Sequence, residues 1–566
     1  MDIDDTTLPP PLSEFKRTES FEPARKLLWP DVPPSEITEP ARLTQIIDTC
    51  TPDDSWLTSA VGDILNHPED FGNTVRYIHV GHHEALRSVI RHLAEKGIFI
   101  IRQEYRECME HALLMSTTKE RFQFFFTGQS GIGITMGARY FLLYLLALGK
   151  PVFWVKDNWV YYFDRHGVQS LSQVSWMDGY QDVNDALRAA WVIIDTYLPN
   201  SRPNEIFSLC PFVIWAASPV ESDWWYFCKR FSPDQQWFMK PWSTKEIAAY
   251  TELAEVPRSR VLTKMEWCGP VPRWLFRDNG FRDARDVESR IVHTLSGKHF
   301  GDEINSENVF LIRPAVVHDD ATGSLILQRD LYTTEFLTPA VAELTIQRAT
   351  RWMNHGQHLR QSVSSAFRAS YTHDLAGKLV EGVIHCALSD GVALPEALDG
   401  GVLAATIEFR GTVDNFVLID NSKVPEPAAT RPLYLRPAGV ASLPAIDAIF
   451  LTSPTQLVLF HTSLSETLHN WDFGTMLRIV ARLPKLGAGI GLESIEDVVC
   501  CVVGIPEDSY RVKNLVRQAR RSLIKLQGLG LVGKGVPMDT SSERLRKFRV
   551  IGFLFEPAEG FVEVEV

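Results

Sequence analysis

The stretch that decides the fold runs from Phe124 to Val155 and reads "FFFTGQSGIGITMGARYFLLYLLALGKPVFWV". A run of phenylalanines precedes a loop with three closely spaced glycines, and an apolar segment of helical length follows. Gly149 and Pro151 then separate this segment from a short β-branched one, and such residues are typical helix-stop signals. The stretch therefore predicts a strand, a glycine-rich loop, an apolar helix and a second strand.

The glycine-rich loop resembles a phosphate-binding loop that lacks its lysine. Gly128, Gly133 and Thr135 fit the pattern G-x-x-x-x-G-K-[ST], but Ile134 occupies the lysine position. Backbone N–H groups at a helix N-terminus bind phosphate, and the Thr135 hydroxyl could reach a magnesium ion. Without the ammonium group, ATP binding is weakened and hydrolysis is placed in doubt. Arg139, one helical turn further on, is a candidate to compensate, and the alternative is a turn that binds no ligand.

Two further apolar segments predict buried parallel strands. "AAWVIIDTYL" contains Asp195 and "PFVIWAASP" contains Ser218, each at the end of its β-branched run. A carboxylate in the position of Asp195 orients magnesium or water in NTPases, although a helix-capping or loop aspartate is the alternative. In "KPWSTKEIAAY", Ser243 and Glu246 have the spacing of a capping box and predict the start of a helix.

The order of these segments predicts the domain organisation. Strands that alternate with helices favour a doubly wound α/β domain, and "EALRSVIRHLAEKGIFIIRQEYRECMEHALL" has helical spacing before it. The first residues are rich in proline and acid and cannot bury a core, so we expect disorder there. The predicted parts are a disordered arm (1–45), an α/β domain with a helical lead-in (46–250), a helical subdomain (251–360) and a second α/β unit (361–566).

Composition indicates a soluble, intracellular protein, either cytoplasmic or nuclear. The 566 residues carry a net charge of −13, which argues against general adhesion to nucleic acid or acidic membranes. Eight scattered cysteines without a CxxC pair favour free thiols in a reducing compartment. The N-terminus lacks the features of a signal peptide, and the longest apolar run is too short to span a bilayer.

One segment, residues 511–549, departs from the acidic composition. It holds eleven lysines and arginines against two acidic residues, and "RVKNLVRQARRSLIKLQ" has the spacing of an amphipathic helix with basic faces. Contact with nucleic acid is one interpretation of this segment. The other is a solvated helix face or a contact with acidic parts of the same chain.

Three quoted segments together resemble a known family. "FTGQSGIGITMGARYFLLYLLALGKPVF", "AASPVESDWWYFCKRF" followed by "WFMKPWSTKEI", and "GPVPRWLF" are similar to the P-loop module of the Crinkler and retrotransposon-hot-spot type of proteins. The similarity covers about residues 95 to 280. In that family the loop reads close to TGQPGIGKS and a G-G-x-P-R motif follows. This chain departs from the pattern at Ser130, at Ile134 and at Cys268–Gly269.

The resemblance implies an ATPase module related to AAA+ and STAND proteins, with ATP and Mg²⁺ as cofactors. Ser218 would be the polar sensor at a strand tip. Arg273 would face the γ-phosphate from a lid-like or winged-helix subdomain. Taken without the resemblance, Ser218 reads as a turn residue at a strand end and Arg273 as a surface arginine beside a proline kink.

Proteins of this type often carry a restriction-endonuclease-like domain after the ATPase module. Such chemistry needs carboxylates that hold a divalent ion and a lysine near the attacking water. Glu381 and Asp447 are the candidate metal ligands, whereas the next strand carries His461 and Ser463 in place of an acid or glutamine and a lysine. An endonuclease-like fold without nuclease activity is therefore the expectation, and a solvated glutamate and a turn aspartate are the alternatives.

The sequence thus predicts an ATP-binding protein in which hydrolysis is impaired or lost. The predicted nucleotide contacts are Gly128, Gly131, Gly133, Ile134 and Thr135, and the predicted magnesium ligands are Thr135 and Asp195. Asp195, Ser218 and Arg273 would form the catalytic set. The alternatives are a catalytically dead scaffold that binds a protein partner and, less favoured, a nuclease that acts on DNA.

Overall fold

The computed structural model describes most of the first 353 residues and selected strands and helical turns beyond them. The described residues are 16–31, 40–61, 74–90, 96–156, 159–172, 184–195, 210–217, 235–277, 284–296, 309–318, 325–353, 379, 382–384, 405–410, 417–418, 433–437, 448–453, 456–462, 497–504, 510, 512–514, 516–517, 547–556 and 560–563. The chain divides into two compact units. The first comprises Met1–Val287 and Ile304–Leu337, and the second comprises Glu288–Glu303 and Thr338–Val566.

The first unit is built on an eight-stranded sheet of order β1-β8-β7-β6-β9-β10-β5-β11. In chain order, the first eleven strands of this unit are β1 Lys16–Arg17, β2 Asp48–Cys50, β3 Val75–His79, β4 Ile98–Ile101, β5 Phe122–Thr127, β6 Val152–Lys156, β7 Trp159–Asp164, β8 Gly167–Ser172, β9 Trp191–Asp195, β10 Phe212–Ala216 and β11 Gln236–Phe238. Strands β2, β3 and β4 belong to a separate sheet. Strands β6, β9, β10, β5 and β11 run parallel, and β7, β8 and β1 extend this core by antiparallel pairing. The predicted α/β class and the four strands predicted around the loop are confirmed.

The helices described in the first unit up to Phe276 connect and follow these strands. They are α1 Glu22–Leu28, α2 Ala41–Thr44, α3 Ser55–Val61, α4 Arg87–Ile90, α5 Gln103–Thr118, α6 Ile134–Ala147, α7 Asn184–Ala189, α8 Thr244–Leu253, α9 Arg258–Cys268 and α10 Pro272–Phe276, with short 3-10 turns at Val80–His82 and Glu84–Leu86. Helix α6 is buried on nearly every side from Gly137 to Ala147, as expected for a helix that is apolar all round. It ends where the glycine signal predicted, because Gly149 adopts a positive φ of 65°.

Part of the predicted disordered arm is folded. Strand β1 pairs with β8, and Phe21, Ala24 and Leu28 around α1 are buried. Phe21 packs edge-on against Trp154 of β6 with ring centroids 5.3 Å apart. The prediction of disorder was wrong for 16–31 because a few large apolar residues supply enough burial in spite of the surrounding prolines.

The helical lead-in contains a strand that the spacing did not reveal. Residues Ile98–Ile101 form β4, which pairs with β3 in a three-stranded antiparallel sheet of order β2-β3-β4. All four residues of β4 are buried. A short apolar run of this kind fits a helix or a strand equally well, so the helical interpretation was wrong here.

After the main sheet the chain forms helices α8 to α10 and then a hairpin. The capping box predicted at α8 is confirmed, because the Ser243 hydroxyl accepts from the Glu246 N–H while the Glu246 carboxylate accepts from the Ser243 N–H. Strands β12 Phe310–His318 and β13 Leu325–Phe336 pair antiparallel within the segment predicted to be helical. The β-branched and aromatic residues of both strands explain this difference.

Helix α11, Ala284–Ser296, spans the boundary between the units, and the second unit continues with α12, Pro339–Met353. Its eight-stranded mixed sheet has the order β15-β14-β16-β17-β18-β19-β20-β21. These strands are β14 Ala405–Arg410, β15 Val417–Leu418, β16 Leu433–Pro437, β17 Ala448–Ser453, β18 Gln456–Thr462, β19 Asp497–Gly504, β20 Lys547–Glu556 and β21 Gly560–Glu563. No helix within the described residues combines the length and apolar character needed to cross a membrane.

Candidate functional site

The glycine-rich loop, Gly128 to Gly133, lies between β5 and α6, at the carboxyl end of the parallel strands. Strand β5 has β10 on one side and β11 on the other. The strands that follow β5 in the chain, β6 to β10, lie on one side of it in the sheet, and β11 is then added on its other side. In open parallel sheets such a switch point, at the carboxyl ends of the strands, is where ligands bind.

Carbonyl groups of the loop accept hydrogen bonds from three other segments. The Ile132 carbonyl accepts from the Trp242 indole at 2.8 Å and from the Arg102 guanidinium at 3.5 Å. The Gly133 carbonyl accepts from the Tyr105 hydroxyl at 2.9 Å, and the Gly131 carbonyl from the Arg273 N–H at 3.3 Å. Carbonyl oxygens repel anions, so their engagement by protein donors leaves the loop and the first N–H groups of α6 suited to an anion.

Two glycines of the loop adopt conformations that other residues disfavour. Gly131 has a φ of 88° and Gly133 a φ of 112°. A Cβ atom on Gly133 would lie 2.3 Å from the Tyr105 hydroxyl, and one on Gly131 would lie 3.0 Å from the Arg273 Cβ. Both positions need glycine for backbone conformation and for the close approach of neighbouring side chains.

We expect Gly133→Ala to destabilise the first unit strongly. A left-handed conformation costs about 1–2 kcal/mol for alanine, and the overlap with Tyr105 adds about 1–3 kcal/mol. Gly97→Ala is the matched control, because Gly97 also has a positive φ, of 71°, but its nearest non-neighbouring atom would lie 3.9 Å from the new Cβ. Urea unfolding measures both variants. Equal losses of stability would contradict the close packing of Tyr105 on the loop.

A cleft opens beside the loop and has two different walls. Loop and helix residues from Gly131 to Met136 form one wall. The other is apolar and aromatic and consists of Ile98, Ile100, Trp242, Tyr250 and Phe276. Tyr250 and Phe276 pack with ring centroids 4.4 Å apart. The cleft thus offers backbone and hydroxyl donors next to an apolar, aromatic surface, the combination typical of ligand sites.

The structure places four of the five predicted nucleotide contacts, Gly131, Gly133, Ile134 and Thr135, in this cleft, whereas Gly128 is not among the residues that line it. Ile134 and Thr135 begin α6 and line the cleft, and Ile134 is buried. Asp195 is buried at the carboxyl end of β9, in register with Ala216 of β10, and Ala216 lines the cleft. Asp195 therefore lies at the same edge of the sheet as the loop, with β10 between β9 and β5.

Other predicted residues lie elsewhere or outside the described residues. Arg139 is buried, donates to the Val89 carbonyl and stands over the Trp154 ring at 5.4 Å, so it does not serve the loop. The predicted sensor Ser218 and the predicted metal ligands Glu381 and Asp447 fall outside the described residues. Most of the basic segment 511–549 does so too, although Val512 and Val516 are buried and Arg517 is exposed, as amphipathic spacing predicts.

Arg273 lies against the loop, 143 residues away in sequence from its partner Ser130. Its Nη1 donates to the Ser130 Oγ at 3.1 Å, and its backbone N–H donates to the Gly131 carbonyl. Arg273 also lines the cleft together with Arg277. The structure therefore brings the predicted arginine to the predicted loop.

A buried ionic cluster, Glu104 with Arg329 and Lys240, supports the site and was not predicted. Glu104 on α5 is 3% exposed, and its two oxygens accept from the Arg329 guanidinium at 2.7 Å each. Lys240 lies 3.6 Å from the carboxylate, which also accepts from the Lys240 backbone N–H. Burial alone would raise the pKa of Glu104, but the surrounding charges of Arg329, Lys240 and Arg102 outweigh it and lower the pKa to about 2.

The cluster holds together the segments that contact the loop. Lys240 is two residues before Trp242, whose indole binds the Ile132 carbonyl. Arg102 forms an ion pair with Glu246 at 2.9 Å and donates to the Lys240 and Pro241 carbonyls. A signal for these residues was present in the sequence, because "IFIIRQEY" places charges directly after a buried apolar run. Charges in such a place are buried only when they are paired.

Comparison of the chain with protein-family models, with curated proteins and with solved structures finds no match. Within the described part of the chain, no group of three or more His, Cys, Asp or Glu residues is placed to hold a metal ion. The assignment of function therefore depends on the geometry of the cleft.

Proposed function

We propose that the first unit binds a nucleoside triphosphate, ATP, in the cleft beside the loop, and that hydrolysis is impaired or lost. The observation that carries the proposal is the loop itself. Its carbonyls are engaged by Trp242, Tyr105 and Arg273, and it leads into the N-terminus of α6 at the switch point of a parallel sheet. Phosphates bind at Gly131 to Thr135, where backbone donors and the helix dipole favour negative charge.

The apolar wall of the cleft suits the base of the nucleotide. Trp242, Tyr250 and Phe276 pack on one another, and Ile98 and Ile100 continue the surface. A purine stacks on such a surface, whereas its phosphates need the polar wall. The cleft therefore provides an apolar surface for the base and polar donors for the phosphates of the same nucleotide.

Magnesium fits the donors at the edge of the sheet. Mg²⁺ is usually held by one or two carboxylates together with substrate phosphates. The Thr135 hydroxyl at the start of α6 and the Asp195 carboxylate at the end of β9 would hold it beside the phosphates. When bound, the ion neutralises phosphate charge and orients the terminal phosphate.

Replacement of the loop lysine by Ile134 opposes turnover more than binding. Arg273 and the backbone N–H groups can donate hydrogen bonds to the phosphates of bound ATP. The lysine ammonium that would stabilise the charge on the transferred phosphate in the transition state is absent at position 134. A slow or absent ATPase activity is the consequence. A relation to the Crinkler and retrotransposon-hot-spot type of proteins is part of this proposal.

Calorimetric titration of ATP into the full chain, with and without magnesium, tests the proposal. We expect saturable binding by the wild type that magnesium strengthens. Thr135→Val should remove the effect of magnesium, because it deletes the hydroxyl and keeps the shape of the side chain. Thr263→Val on the exposed face of α9 is the control. Absence of binding by the wild type would exclude the proposal.

A scaffold that binds a protein partner is the second candidate. The observation in its favour is the isoleucine at the lysine position, which removes a residue needed for turnover. If the protein is a scaffold that binds no nucleotide, we expect no heat of ATP binding under any condition. The same titration therefore distinguishes the scaffold from the ATP-binding protein. DNA cleavage by the second unit is the third candidate function. A plasmid-nicking assay with magnesium tests it, and a result that Glu381→Ala leaves unchanged would exclude this candidate.

A further inference from the structure

We propose that a second cavity of the first unit, the basic pocket, binds a small phosphate-bearing anion. The basic pocket is defined by six of the residues that line it: Thr74, Arg76, Arg106, Ser243, Lys245 and Glu246. None of the described residues around it lines the cleft beside the loop. The proposal therefore goes beyond the binding of ATP and does not depend on it.

Three cations from separate elements line the basic pocket. Arg76 lies on β3, Arg106 on α5 and Lys245 on α8. All three are partly buried, so water screens their charges less than those of exposed side chains. Cations that share one cavity repel one another, and an anion between them relieves the repulsion. The whole chain carries a net charge of −13, so this local concentration of positive charge does not follow from composition.

Glu246 supplies the one carboxylate among the described residues that line the pocket, and both of its oxygens accept hydrogen bonds. One oxygen accepts from the Arg102 guanidinium at 2.9 Å and the other from the Ser243 N–H at 2.9 Å. Arg102 is 1% exposed and does not line the pocket, so a buried cation outside the cavity offsets the charge of Glu246. The carboxylate therefore opposes an incoming anion less than an unpaired one would.

Arg106 is the cation best placed to take a ligand. Its side chain forms no hydrogen bond or ion pair with another described residue. Half-buried arginines normally have such partners, because a guanidinium carries five N–H donors and a full charge. A ligand anion in the basic pocket would supply the missing acceptor.

The size and the donors of the pocket indicate the class of ligand. The cavity measures about 80 Å³, half of the 160 Å³ of the cleft beside the loop, which suits one phosphate group without a nucleoside. Guanidinium groups bind phosphate oxygens through paired hydrogen bonds, and a lysine adds a point charge. Thr74 and Ser243 place hydroxyl-bearing side chains on the same wall. Inorganic phosphate and a small phosphate ester share the chemistry that these groups recognise.

Calorimetric titration of inorganic phosphate, and separately of methyl phosphate, into the full chain without ATP tests the proposal. We expect saturable binding of at least one of the two. Arg106→Gln and Lys245→Gln should each weaken this binding about tenfold, the effect of losing one charge-assisted contact. Arg106→Lys should weaken it less than Arg106→Gln, because it keeps the charge and loses only the paired geometry.

Matched controls separate the pocket from general attraction and from effects on folding. Arg260→Gln removes the same charge from an exposed position on α9 and should leave phosphate binding unchanged. Phosphate should raise the midpoint of thermal unfolding of the wild type but not that of the double variant Arg106→Gln/Lys245→Gln. The midpoints measured without phosphate report whether each variant folds.

Every outcome bears on the proposal. Tighter binding of methyl phosphate than of inorganic phosphate would support an ester as the ligand, and the reverse order would support the free ion. Absence of binding of both probes, undiminished binding by the double variant, or an equal loss in Arg260→Gln would overturn the proposal. None of these results changes the proposed function, which the titration of ATP tests by itself.

Discussion

Replacement of Glu104 by glutamine is expected to lower the free energy of unfolding by about 3–5 kcal/mol, the cost of removing one partner from a buried ion pair. Glutamine fills the same space but removes the negative charge that the buried Glu104 provides to Arg329 and Lys240. Glu107→Gln is the matched control, because Glu107 also pairs with Arg329 but its side chain is 29% exposed. A pair with one partly solvated partner is screened by water and contributes less than a buried one, so we expect a smaller loss for Glu107→Gln, and urea unfolding at pH 7 distinguishes the two.

The pH dependence of the stability difference between the wild type and Glu104→Gln shows whether the loss comes from the missing charge or from packing. The pKa of Glu104 is about 2 in the folded protein and has an ordinary value of 4.5. A carboxylate with a lowered pKa stabilises the fold above its unfolded pKa, and this stabilisation is lost as the pH falls toward the folded pKa. The gap between wild type and Glu104→Gln should be constant above about pH 5 and should narrow between pH 4.5 and 2. A gap independent of pH would assign the loss to packing.

Local patterns in the sequence were sufficient to predict the strand, the loop and the helix at the centre of the first unit. The glycines, the apolar run to Leu148 and the serine and glutamate at the start of α8 each act within a few residues. Their effects therefore appear in the sequence as spacing. The same is true of the strands β9 and β10, which alternate with helices as a parallel sheet requires.

The support of the loop could not be predicted in this way, because it joins residues far apart in the chain. Glu104 and Arg329 are 225 residues apart, and Gln129 accepts from the Ile312 N–H of the hairpin 183 residues later. No periodicity connects such pairs. Arg273 was linked to the loop only through the resemblance of "GPVPR" to a family motif, and its partner Ser130 was noted as a departure from that motif without a physical reason. The hydrogen bond between them supplies one.

Ile134→Lys is expected to tighten the binding of magnesium ATP by one to two orders of magnitude. Ile134 is the first residue of α6 and lines the cleft, so a lysine there provides an ammonium at the position where phosphate-binding loops carry theirs. A hydrogen bond to a charged group contributes about 1.5–3 kcal/mol, and about 1.4 kcal/mol corresponds to a factor of ten. Because the ammonium also stabilises charge in the transition state, we expect ATP hydrolysis to rise above that of the wild type.

Met136→Lys is the control that makes this result specific. Met136 also lines the cleft, two residues further along α6, and receives the same charge without the position that the loop pattern requires. Equal tightening by both variants would indicate general attraction between a cation and ATP. Tightening and hydrolysis by Ile134→Lys alone would show that the loop still has the geometry of a phosphate-binding loop and that one side chain separates it from turnover. If neither variant binds ATP, the loop is a turn between a strand and a helix, and the scaffold becomes the leading account of the protein.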